Sequence, residues 1–275
     1  AADFKYQYPN VTSAGAWRTA GSLNTARDGL GGAGTHTAGL AFGGKGEVLG
    51  IANYLTCTEE YDGTSWSGGG DMTVARKFLA GAGTQNAALA MGGNNGSDLT
   101  CTEEYDGSSW STKAAMSLAR RQLAGAGTTP AALVFGGNVN STCTEEYTSA
   151  TTYTPKKTFD YDDTTGDLDI SGSSHVTGSF VTTGSVDMAY QSGSATFTPG
   201  GSWSTGGALA TARYSMGGAG TQNAALAFGG DTTSEVACTE EYNGSSWSAG
   251  GALQIAREGL GGAGTQNAAL AWRGR

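Results

Sequence analysis

The chain repeats itself, and that constrains its fold more than any other feature. A block that opens with Arg, passes through Gly-Ala-Gly-Thr or a close variant and ends in an apolar run starts at Arg27, Arg76, Arg120, Arg213 and Arg257, without an internal gap in any copy. A second block, Cys-Thr-Glu-Glu-Tyr, starts at Cys57, Cys101, Cys143 and Cys238. A tryptophan stands ten residues before each repeat arginine, at Trp17, Trp66, Trp110, Trp203 and Trp247. Units of 44 to 49 residues are too short to bury an apolar face alone, so neighbours must stack to build a shared core.

Within a unit the local signals are those of strands. Ala-Ala-Leu-Ala-Phe-Gly-Gly is a short apolar run closed by glycine, as a fully buried inner strand would be. Thr-Glu-Glu-Tyr and the segment at the tryptophan read as two strands joined by a tight turn. Asp62-Gly63, Asp106-Gly107 and Asn243-Gly244 supply the positive φ that such a turn demands. No segment carries a helical period, so the expected class is all-β, with four short strands per unit.

The Gly pair (Gly43-Gly44, Gly92-Gly93, Gly136-Gly137 and Gly229-Gly230), the Glu-x-Tyr spacing, the following tryptophan and the arginine ten residues later together resemble the kelch repeat. The resemblance covers nearly the whole chain outside roughly 148–200, and it implies a β-propeller. It also implies that Trp17, Trp66, Trp110, Trp203 and Trp247 pack between blades, that the repeat arginines are structural, and that the Gly pair lets inner strands crowd the axis. The last copy stops after two strands, while Phe4-Lys5-Tyr6-Gln7-Tyr8 and the segment at Trp17 offer the two that are missing. Residues 1–147 and 201–275 would then form five blades, closed by N-terminal strands that complete the C-terminal blade. Between Tyr147 and Trp203 lie 51 more residues than the 5-residue spacing of Tyr61 to Trp66 requires. Residues 148–200 read as a Ser/Thr/Gly/Asp-rich β insertion in the c–d connection of the third blade, or as a degenerate sixth blade.

Composition narrows the function. Fifteen basic against 24 acidic residues give a net charge of −9, which argues against a nucleic-acid groove. No apolar run approaches the ~20 residues of a membrane-spanning helix, and no basic-then-apolar opening reads as a secretion signal. Two histidines and no Ser/His/Asp or Cys/His arrangement leave little for catalysis, so no enzyme and no cofactor is expected. The four cysteines occupy one position in four different units, which holds them apart, too far for a disulfide or a zinc site; they read as small buried strand residues. The paired glutamates point to opposite faces of a strand, and one of each pair is expected on a repeat arginine. Gly-Ala-Gly-Thr lacks the Gly-Lys-Ser/Thr of a phosphate loop and reads as packing glycine. The one dense carboxylate run, Asp160, Asp162, Asp163 and Asp167, is a weak calcium candidate beside the plainer reading of an acidic solvated turn.

Variation between copies is the remaining signal. The connection from Gly pair to cysteine spans 12 residues (45–56), then 7 (94–100), 5 (138–142) and 7 (231–237), whereas the tryptophan-to-arginine spacing never changes. Such length differences map to one face of a repeat protein, often the binding face. The loops offer Asn53, Tyr54, Asn94, Asn95, Asp98, Asn138, Asn140 and Asp231, and the residue after each repeat arginine varies as Asp28, Lys77, Arg121, Tyr214 and Glu258. Strand parity puts both sets on one face and the insertion on the other. Near-identical Ala/Gly/Thr-rich units of this type, with the insertion, look like those in structural proteins of tailed, particularly marine, bacteriophages. That resemblance implies a virion protein assembled in the host cytoplasm, such as a tail fibre, tail tip or capsid appendage. It would contact other virion proteins, form oligomers through virion symmetry and bind a host-surface glycan or protein. A purely structural decoration module is the alternative.

Overall fold

In the computed structural model the described residues are 19–48, 51–138, 141–149, 158–162, 167–171 and 201–274. They hold no helix and four four-stranded antiparallel sheets whose strands lie side by side in chain order, with a further hairpin inserted between the second and third strands of the first and between the third and fourth strands of the third. Each sheet is called a blade below, with strands a to d. Blade 1 is Gly31–Thr35, Ala38–Phe42, Thr58–Tyr61 and Trp66–Gly68. Blade 2 is Ala80–Thr84, Ala87–Met91, Thr102–Tyr105 and Trp110–Lys113. Blade 3 is Ala124–Thr128, Ala131–Phe135, Thr144–Thr148 and Ser202–Thr205, and blade 4 is Gly217–Thr221, Ala224–Phe228, Thr239–Tyr242 and Trp247–Ala249. A C-terminal hairpin, Leu260–Thr265 with Ala268–Arg273, repeats strands a and b. This arrangement of small sheets is propeller-like.

The innermost strand is a, not the apolar strand b that the sequence suggests. Strand a of each blade packs on strand a of the next, from blade 1 through to the C-terminal hairpin. Glycine is what permits this approach. A Cβ at Gly81 or Gly262 would collide with the carbonyl oxygen of Gly32 or Gly218, and one at Gly125 or Gly218 would lie 2.9 Å from that of Gly81 or Gly125. The Gly pair at the end of strand b does another job. Gly44, Gly93, Gly137 and Gly230 donate their N–H to the carbonyls of Arg76, Arg120, Arg213 and Arg257, so the pair makes room for the incoming linker of the next unit rather than for crowded inner strands.

Three further contacts repeat from blade to blade. Trp110 lies with its ring centroid 4.9 Å from Phe42 and donates to Thr58 Oγ1 at 2.9 Å; Trp247 repeats this on Phe135 and Thr144. Gln85, Gln222 and Gln266 each donate to two backbone carbonyls of the preceding blade. Tyr105 and Tyr242 donate to Glu60 and Glu146 of the preceding blade, both at 2.5 Å. Burial, and then these carboxylate partners, push both phenols up to about 12.

Blades 3 and 4 are immediate neighbours, and strands c and d of blade 3 pair directly although the insertion separates them in sequence. No blade stands between them. Within the insertion, Thr158–Asp162 pairs with Asp167–Ser171 as a separate hairpin. Its register sets Asp160 opposite Asp169 and Asp162 opposite Asp167; Asp163 lies outside the described residues. The strands expected near residues 4–8 and at Trp17 also lie outside them.

Candidate functional site

Arg76, Arg120 and Arg213 are carried by the linkers between blades into fully enclosed positions, and the side chain of Arg27 is enclosed likewise. Arg27 pairs with Glu59, Arg76 with Glu103 at 2.5 Å, Arg120 with Glu145 at 2.9 Å and Arg213 with Glu240 at 3.2 Å. It is thus the first glutamate of each pair that takes the arginine, while the second reaches towards the next blade's tyrosine. The carboxylates also accept linker N–H groups, from Thr73 and Val74 on Glu103 and from Ala210 and Thr211 on Glu240. These ion pairs and linker hydrogen bonds make the cluster a clamp on the fold, although the Nε of Arg76, Arg120 and Arg213 is buried without a hydrogen-bond partner among the described residues. The cysteines belong to it. They are half-buried rather than buried, they precede strand c rather than lie in it, and Cys101 Sγ accepts from Arg76 at 3.3 Å. Burial raises the Cys101 thiol despite the nearby guanidinium. All four are free, and among the described residues no group of His, Cys, Asp and Glu could hold a metal ion.

The variable positions collect at one end. The residue after each repeat arginine bonds to the first residue of its own blade's b–c loop: Asp28 pairs with Lys45, Lys77 with Asn94, and Tyr214 with Asp231. Asn138 donates its N–H to Arg121 O and accepts the Arg121 N–H on Oδ1. The longest loop is not irregular. Its Lys45–Val48 and Ile51–Tyr54 form a hairpin that, with Arg27–Asp28, makes a three-stranded sheet above blade 1. Alternation in Lys-Gly-Glu-Val and Ile-Ala-Asn-Tyr was the signal for it. Asn53 and Tyr54 on this hairpin are exposed, as is Asn95, whereas Asn94 is only 8% exposed. Asn140 lies outside the described residues.

Blades 2 and 3 share a polar cluster at this end. Asp98 accepts from Asn94 at 2.8 Å, from Arg121 at 2.7 Å and from Asn138 at 2.5 Å. Burial works against its charge, but the two amides and the guanidinium outweigh it, and the carboxyl titrates below its ordinary range. Glu258 closes the series next to the C-terminal hairpin.

Five residues that sequence reasoning did not select lie nearest the centre of this face, two positions after each arginine: Gly29, Phe78, Gln122, Ser215 and Gly259. All five have left-handed φ, between 53° and 66°. Phe78 donates its N–H to Gly29 O, Gln122 to Phe78 O, Ser215 to Gln122 O and Gly259 to Ser215 O, over 2.6–2.9 Å. The result is a backbone collar at the mouth of a cavity of about 1120 Å³ that all five residues line. Two glycines at these positions gave no hint of a shared conformation, because Phe, Gln and Ser seldom adopt it.

No family model matches the chain, and no curated protein does. The fold and the site define an all-β, propeller-like repeat protein with an invariant packing scheme and one variable face.

Proposed function

We propose that the protein is a non-enzymatic recognition module, a five-bladed kelch-like propeller that binds a surface glycan or protein through the variable face. The observation that carries this reading is the segregation of variation. Arginine, glutamate, tyrosine and tryptophan recur where blades touch, while, apart from the single insertion at 148–200 on the opposite side, loop length varies at the end that holds Asp28, Lys77, Arg121, Tyr214 and the hairpin above blade 1. Loops on a rigid scaffold are where binding residues concentrate.

Ring closure by the N-terminus is part of this proposal, and residues 19–27 support it. Gly21 lies against Thr64 and Ser65 as Gly70 lies against Ser108 and Ser109. Trp66 donates to Gly21 O as Trp203 donates to Ala114 O, and Asn24 and Thr25 donate to Glu59 as Thr73 and Val74 do to Glu103. This segment therefore runs where the linker leaving a preceding blade belongs. Residues 4–8 and 11–19 would complete the C-terminal hairpin as that blade.

With its insertion leaving by the c–d turn, opposite the variable face, the module is suited to display on a particle. The virion reading, in a tail fibre, tail tip or capsid appendage of a tailed phage, rests on the repeat style together with the insertion. Mass spectrometry of purified particles tests it. Shortening residues 45–56 to the length of 138–142 tests the face: adsorption to host cells is lost with folding intact, while deletion of 150–199 abolishes incorporation. Adsorption that survives the shortening would leave the decoration module as the better reading.

A further inference from the structure

We infer that the collar at the cavity mouth is a binding subsite for a neutral saccharide, with Phe78, Gln122 and Ser215 as its specificity-determining side chains. The inference rests on the recognition reading and narrows it to one place and one ligand class. The first argument is conformational. Every collar residue occupies the left-handed region, which glycine adopts freely and L side chains adopt against a steric penalty. Gly29 and Gly259 show that glycine satisfies the backbone here. Blades 2, 3 and 4 nevertheless carry Phe, Gln and Ser, three unlike side chains at one repeated position, all half-buried at the rim of the same cavity. Strain of this kind, held by a surrounding scaffold, is characteristic of binding and catalytic sites.

The second argument is chemical. The next residue in the later units, Leu79, Leu123, Met216 or Leu260, is buried at 4–9% exposure beneath the rim, and Leu79 packs near Gly43, while Leu30 of blade 1 is half-buried. The rim itself offers an aromatic ring, an amide and a hydroxyl, with Gln122 Nε2 donating to Ser215 Oγ at 3.0 Å, above a cavity wall that includes Leu30, Leu79, Leu123, Met216 and Leu260. The acidic residues Asp28 and Glu258 also line the cavity. They suit sugar hydroxyls and, with the net charge of −9, disfavour anions. Lys77 Nζ sits 4.4 Å from the Phe78 ring centroid, which engages its charge on the ring. Part of the cavity extends between blade 1 and the C-terminal hairpin, where closure places residues 4–17; the proposed subsite is the axial rim only.

Glycine substitution gives a test that the fold tolerates, since glycine already occupies two of the five positions. Saturation-transfer NMR of the full chain is run against methyl glucopyranoside, methyl galactopyranoside, methyl mannopyranoside and N-acetylglucosamine. The result expected is transfer to at least one sugar, reduced at least tenfold in affinity in the triple variant Phe78→Gly, Gln122→Gly, Ser215→Gly, whose melting temperature equals or exceeds the parent's. Absence of transfer from all four sugars overturns the subsite, as does transfer that the triple variant retains. Retained transfer that is lost on shortening residues 45–56 would overturn the collar while leaving the recognition face standing.

Discussion

Arg120 is 1% exposed, and Glu145 beside it is equally enclosed. Arg120 Nη1 donates to the carbonyls of Gly136 and Cys143, while its Nε is buried without a hydrogen-bond partner among the described residues. A pair so enclosed is expensive to break from one side, because the survivor is left charged and dry. Arg120→Ala should cost about 3–5 kcal/mol, whereas Arg120→Met with Glu145→Gln should recover much of that loss; denaturant unfolding of the two variants checks it. The tyrosines add a pH signature. Tyr105, Tyr147 and Tyr242 are held at about 12 by burial first, and by glutamates of the preceding blade second. Their folded values lie above the unfolded value of ~10, so this stability is complete below pH ~10 and is lost as pH rises towards 12. Tyrosinate absorbance and circular dichroism should change together in that window; titration of these phenols with the fold intact would contradict it. Such pairings were partly legible, since arginine and glutamate recur in phase. Which glutamate of each pair takes the arginine was not, because period 2 gives two faces without saying which one meets the linker.

At the scale of strands, the glycines of strand a are set by backbone, not by side chains. Gly81→Ala would drive a Cβ into the Gly32 carbonyl, while Gly68 has nothing within 4 Å of the same atom. The first change should destabilise by roughly 1–3 kcal/mol, and the second should be neutral or slightly stabilising; matched thermal melts decide. Trp110, enclosed between Phe42 and Tyr105, should cost ~3–5 kcal/mol on replacement by Ala. A loss below ~0.5 kcal/mol would mark it as a surface residue. Sequence reasoning found the strands and the Asp-Gly and Asn-Gly turns because each has a local signature. It placed the apolar strand innermost, since burial usually means hydrophobic side chains. Here the axis is so crowded that only Gly and Ala fit, and the apolar strand packs one place further out.

At the scale of the molecule, each interface from blade 1 to the C-terminal hairpin reuses the inner-strand glycines; the glutamine contact recurs at three of the four, and the tyrosine–glutamate and tryptophan–threonine contacts at two. The C-terminal hairpin engages blade 4 through Gln266, yet Leu270, the counterpart of enclosed Leu89 and Leu133, is 65% exposed. Blade 1 meets residues 21–25 as though a blade preceded it. The proposed closure by the N-terminal strands would account for both observations. The most direct measurement is photo-crosslinking from a benzophenone amino acid replacing Tyr8, in the segment proposed as strand c of the closing blade. Closure predicts a crosslink within the same chain to the neighbourhood of Glu241, in monomeric protein and independent of concentration. A crosslink only between chains, or none to blade 4, would contradict it.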